Sequence, residues 1–156
     1  LVVLRIWHYK LLEALPDLQF KGQLRELVVI MRDWRDKGKT NHILINAVTE
    51  YPKSHLSTYF DLYRKEYKRR YHKDINSSIV KEFSDFSPSI SDYEQLLWHD
   101  NEYLLVCKYN LYEKYKFGRG KSRISQEDWN KVDSLINHII NSYIVSSVIE
   151  KEFYFE

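Results

Sequence analysis

Between Asp17 and Lys37 the apolar residues Phe20, Leu24, Leu27, Met31 and Trp34 recur at spacings of four, three, four and three. That rhythm keeps one face of an α-helix apolar and predicts a helix from about Pro16 to Lys37. Pro16 suits the first turn, Asp17 the positive end of the helix dipole, and Gly38 a C-terminal stop. A second helix is predicted from about Pro52 to His72, with Leu56, Tyr59, Phe60, Tyr63 and Tyr67 along one side. Between them Asn41–Thr49 reads as a short apolar connection, either buried loop or extended chain. Asp74–Pro88 is polar, carries Ser77, Ser78, Ser84 and Ser87, and reads as a long loop holding a single turn at most.

Ser91-Asp92-Tyr93-Glu94 has the form of a capping box and opens a predicted third helix reaching about Tyr115. Its core face is Leu97, Leu104, Leu105, Leu111 and Tyr115, and Gly118-Arg119-Gly120 ends it in a flexible basic loop. Ser125 to Asp128 repeats the capping signature and starts a last helix with apolar Trp129, Val132, Leu135, Ile136, Ile139, Ile140 and Tyr143. That helix and the Phe153-Tyr154-Phe155 end either close the bundle, leaving a monomer, or make a dimer contact. The pattern as a whole predicts an all-α fold, a compact single-domain bundle of about four helices.

Composition changes this picture little. The chain has 156 residues, 44% of them hydrophobic, which is enough for one domain with a real core. Four glycines and three prolines are too few for the many turns of a sandwich or barrel. Cys107, the single cysteine, excludes an intramolecular disulfide and a cysteine-rich metal centre, and beside Leu105 and Val106 it reads as a buried small hydrophobe. The six histidines lie far apart and read as surface or packing residues, so neither a metal nor a cofactor is expected. No apolar run approaches the ~20 residues of a membrane span. Arg5 follows Leu1–Leu4 at once, without a secretory signal, so a cytoplasmic protein is expected.

Charge carries more information. The net charge is only +2, yet Lys53–Lys73 holds seven Lys and Arg against two acids, and Lys108–Arg123 six against one. Two basic blocks on an otherwise acidic chain make a polarised surface suited to a phosphate backbone. Both blocks are laced with tyrosine: Tyr59, Tyr63, Tyr67 and Tyr71 in the first, Tyr109, Tyr112 and Tyr115 in the second. Cations that hold phosphates and rings that stack on bases point to nucleic acid. A helical domain with solvated basic faces and aromatics serving only as core is the competing interpretation.

The stretch Gly22-Gln23-Leu24-Arg25-Glu26-Leu27 stands apart. A glycine inside a helix costs about 0.5–1 kcal/mol relative to alanine, which suggests a need for room at Gly22. Glu26 sits at the margin of the apolar stripe beside Arg25, as a group for acid–base work or charge stabilisation would. Leu18–Leu27, with its Arg25-Glu26-Leu27 core, resembles the first long helix of the pyrimidine-dimer DNA glycosylases, the endonuclease V family. Arg5-Ile6-Trp7-His8, Leu15-Pro16 and Gly22-Gln23 are similar to the opening of its bacterial members. His55 to Arg70 and Asn101 to Tyr115 continue the likeness, which covers about residues 5–120.

The resemblance implies a metal-free all-α glycosylase and abasic-site lyase acting on ultraviolet-damaged double-stranded DNA. In that chemistry an amino-terminal α-amine attacks C1′ of the damaged deoxyribose, expels the base as a Schiff base forms, and β-elimination cuts the strand. Glu26 matches the family's carboxylate, and counting back twenty-one positions reaches Arg5, whose backbone amine is the matched nucleophile if the mature chain starts there. Arg25 would hold phosphate and keep Glu26 ionised. The implied DNA contacts are Arg25, His55, Arg64, Lys68, Arg69, Tyr115, Lys116, Arg119 and Lys121. The alternative is a non-catalytic nucleic-acid-binding helical domain that keeps the basic faces and lacks the amine.

Overall fold

Pro16 caps α1 (Asp17–Lys37), and Gly38, at φ 75°, closes it with its N–H on the Trp34 carbonyl. Pro52 and His72 bracket α2 (Lys53–Tyr71) in the same way, His72 taking the left-handed conformation at φ 54°. The remaining helices are α3 (Ser77–Phe86), α4 (Asn101–Phe117) and α5 (Gln126–Tyr154). This computed structural model describes residues 6–39, 47–89 and 100–154, with side chains as far as Ser142 in α5. No strand occurs among the described residues, so the fold is all-α.

The helix α3 corrects the expectation of a loop over Asp74–Pro88, and makes five helices among the described residues where about four are expected for the chain. Asn76 caps it by accepting from the Ser78 N–H, and Ile79, Val80, Phe83 and Phe86 recur on one face. The serines lie on the face away from the core, where they cost little. The Phe83 ring lies flat on Phe60 of α2, 3.9 Å between centroids, and Phe86 meets Trp34 of α1 edge-on. Thus α3 is pinned to both preceding helices.

Of the third predicted helix, the capping box Ser91–Glu94 and Leu97 lie outside the described residues, as does most of the Asn41–Thr49 connection. The described helix α4 begins at Asn101, capped by Asp100, whose carboxylate accepts from the Tyr103 N–H at 2.8 Å. The Ser125 cap is present, its hydroxyl accepting from the Asp128 N–H. Tyr143 and the Phe153-Tyr154-Phe155 end lie beyond the described side chains.

The three helices α1, α2 and α3 each pack against the other two, and α4 pairs with α5. The amino-terminal segment runs along the seam. Its 3-10 turn Tyr9–Leu11 touches both α2 and α5, and Ile6, Trp7, Leu11, Leu12 and Leu15 are buried in the common core. His8 is buried between the rings of Tyr9 and Tyr103. Cys107 is buried, as expected of a small hydrophobe.

At the start of α2, His55 is buried against the Tyr51 ring and its Nδ1 has no hydrogen-bond partner. Burial lowers its pKa, because the charged imidazolium is the form that loses solvation. The unfolded chain therefore takes up a proton near its ordinary pKa of about 6.5 that the folded chain refuses. The resulting stability is complete above that value and is lost as pH falls toward the lower folded value. Urea unfolding is expected to weaken between about pH 7 and about pH 5 in the wild type, and less steeply in His55→Phe.

Candidate active site

Gln23 lies on the inward face of α1 and is completely buried, a position its polarity does not advertise. Its Oε1 accepts from the backbone N–H of Trp7 at 2.7 Å. That bond identifies the oxygen end of the amide, so Nε2 faces Glu26 and donates to Oε2 through a long 3.4 Å hydrogen bond. The Tyr59 hydroxyl of α2 donates to the Trp7 carbonyl at 2.6 Å and lies 3.2 Å from Gln23 Oε1. Burial pushes the Tyr59 phenol well above its ordinary pKa, so it remains a proton donor. From α4, the Tyr103 hydroxyl donates to the Ile6 carbonyl. Three helices therefore grip two successive residues of the amino-terminal segment.

Next to this grip a cleft of about 420 Å³ opens, lined by Trp7, Leu18, Gln19, Gly22 and Glu26 on one side and Asn110, Glu113, Lys114 and Ser122 on the other. Its size falls within the ~300–1,000 Å³ of ordinary ligand sites. Two carboxylates, an ammonium, two amides and a hydroxyl suit a sugar–phosphate better than an apolar ligand. Leu18, 55% exposed at the rim, adds an apolar edge.

A Cβ built on Gly22 meets nothing within 4 Å, so the room expected there exists and belongs to the cleft. Gly22→Ala is expected to stabilise α1 by about 0.5–1 kcal/mol while projecting a methyl into the cleft. A thermal melt should rise by a few degrees while affinity for damaged duplex falls. A melt that rises with unchanged affinity would remove Gly22 from the site.

Arg25 is exposed, one turn beyond Gly22 on the outer face that also carries Leu18 and Val29. Lys116, Arg119 and Lys121 are exposed in and after α4, in the same stretch of chain as the cleft residues Lys114 and Ser122. Their placement depends on Gly118. Its N–H and that of Ile124 both reach the Lys114 carbonyl, folding the basic loop back on the helix end. A Cβ on Gly118 would stand 2.2 Å from that carbonyl oxygen.

The first basic block is placed elsewhere. Arg64 makes a two-pronged ion pair with Asp74 at 2.8 and 2.6 Å, Lys68 also approaches Asp74, and Arg69 pairs with Glu66. The Arg64 guanidinium holds the Asp74 carboxyl far below the usual carboxylate range. These residues line a shallow groove with Asp61 and Lys65 that shares no residue with the Glu26 cleft. His55 is buried and offers no edge to a duplex, and Tyr115 stacks on Trp129 with 5.6 Å between centroids. Tyr59 and Tyr63 are core residues too, their hydroxyls given to the Trp7 and Phe20 carbonyls. The two phenols are therefore unavailable for base stacking, contrary to the expectation from their spacing. Arg5 lies outside the described residues. Sequence reasoning also passed over Leu18, Gln19, Asn110, Glu113, Lys114 and Ser122 as cleft residues.

Residues 4–78 match the family described as Pyrimidine dimer DNA glycosylase. The glycosylase match takes in the amino-terminal segment, α1 with Gln23 and Glu26, and α2, and ends at the first turn of α3. The α4 wall of the cleft and the basic loop after it lie past the matched stretch. No curated protein and no solved structure matches the chain. Among the described residues no helix is long and apolar enough to cross a membrane.

Proposed function

We propose that the protein is a DNA glycosylase and abasic-site lyase that acts on ultraviolet-induced pyrimidine dimers in duplex DNA, with an amino-terminal α-amine as nucleophile and Glu26 as the assisting carboxylate. The observation that carries this reading is the hydrogen-bonded link from Glu26 through Gln23 to the backbone of Trp7 at one wall of a polar cleft. Two residues of extended chain span at most about 7 Å, so an amine at Arg5 would lie within that distance of the Trp7 nitrogen.

An α-amine has a pKa of about 7.7–8.0, against ~10.4 for lysine, and so supplies a neutral nucleophile at physiological pH. Its lone pair attacks C1′ as the glycosidic bond breaks and the base leaves with the bonding electrons. The Glu26 carboxylate would stabilise positive character at C1′ and then move protons as the sugar ring opens to the Schiff base. Loss of a C2′ proton expels the 3′ phosphate. The exposed cations Arg25 of α1 and Lys116, Arg119 and Lys121 in and after α4 would hold the strand's phosphates, and Arg64, Lys68 and Arg69 offer a second, separate set of cations on α2. The weakened stacking of a dimer lowers the cost of extruding a nucleotide into the cleft.

The test is borohydride trapping on a duplex with one defined thymine dimer, followed by peptide mapping. Capture through the amino-terminal peptide supports the reading. A protein that binds the duplex yet yields no adduct is the non-catalytic nucleic-acid-binding alternative.

A further inference from the structure

Gln23 has no chemistry of its own, yet it spends both ends of its amide at the site. The oxygen end accepts from Trp7 N–H beside the Tyr59 hydroxyl, and the nitrogen end donates to Glu26. We propose that Gln23 is a positioning residue whose amide fixes the distance between the amino-terminal backbone and the Glu26 carboxylate. The inference rests on the glycosylase reading, because it names what Gln23 aligns.

Two features argue for this role over simple packing. A buried amide needs partners, and the described residues offer a helix interior in which an apolar side chain would fill the same space with none to satisfy. The polarity is also directional. A glutamine amide accepts from Trp7 and donates to a carboxylate at once, whereas a glutamate in its place would set two carboxylates side by side and an apolar residue would do neither. The Tyr59 and Tyr103 hydroxyls reinforce one half of this arrangement, holding the Trp7 and Ile6 carbonyls.

Gln23→Glu is the informative variant, because it preserves shape and the acceptor toward Trp7 while replacing the donor toward Glu26 by a like charge. Glu113 and Lys114 share the cleft with Glu26, Arg25 precedes it on α1, and the Tyr59 and Tyr103 phenols lie behind Trp7 and Ile6; none of these changes in the variant. Carbon-13 NMR titration should place the Glu26 midpoint about one pH unit or more higher than in the wild type, as a coupled carboxylate pair requires. Gln23→Leu should shift the Trp7 amide resonance and slow borohydride trapping on an abasic-site duplex about 100-fold, the scale of an ångström misplacement, with duplex affinity changed less than twofold. An unmoved Glu26 midpoint in Gln23→Glu overturns the proposal even if Gln23→Leu fails to fold. Wild-type trapping with indifferent variants overturns the proposal alone. A wild type that traps nothing overturns the glycosylase reading, and with it the task assigned to Gln23.

Discussion

Glu26→Gln should lose roughly 10³-fold in the single-turnover rate of dimer excision, the middle of the range for removing a positioned acid–base group. Affinity for the damaged duplex should stay within about twofold, since the cations proposed to hold its phosphates are untouched. The substitution is nearly isosteric, and a glutamine oxygen at position 26 still accepts from Gln23 Nε2, so the grip on Trp7 survives. What disappears is the negative charge in the cleft. Without it, positive character at C1′ has Glu113 on the α4 wall as the other carboxylate of the cleft, alongside Lys114. Thermal melts of wild type and variant should coincide, which separates the chemical loss from a folding defect. Excision at the wild-type rate would sink the role of Glu26.

Phe83→Ala should cost about 3–5 kcal/mol of folding stability, the usual range for emptying an aromatic core position. Phe83 is nearly fully buried and lies parallel to Phe60 with 2° between the ring planes. Its removal leaves a void between α2 and α3 that neither helix can close without breaking the Trp34–Phe86 contact and the Arg32–Glu82 ion pair. For a chain of this length the melting temperature should fall by about 10 °C or more. Excision per folded molecule should be retained, because α3 contributes no wall of the Glu26 cleft. A melt lowered by only a degree or two would show that α3 is an appendage rather than part of the core.

The helix α3 also shows what the sequence pattern can hide. Ile79, Val80, Phe83 and Phe86 have helical spacing and Asn76 is a good cap, yet the serines between them carry the look of a loop. The signal was present, and composition outweighed it. Tyr59 and Tyr63 misled in the opposite direction. Tyrosines interleaved with cations resemble a stacking surface, but each phenol here reaches a backbone carbonyl far away in the chain and is buried with it.

From the residues alone come the helix α1 with its proline start and glycine stop, the helix α2, the cap of α5, the polarised charge, and the resemblance that singles out Arg25-Glu26-Leu27. All of these are local, because helical periodicity and capping are complete within a few residues of chain. Tertiary structure alone decided that Gln23 is buried, that Tyr59 and Tyr103 clamp the amino-terminal segment, and that the α4 end rather than the α2 cations forms the second wall of the cleft. The Tyr103–Ile6 contact joins residues 97 apart in sequence. A glutamine or tyrosine on a helix has the same local pattern whether it faces water or core. Which of the two it meets depends on helices that arrive from elsewhere in the chain.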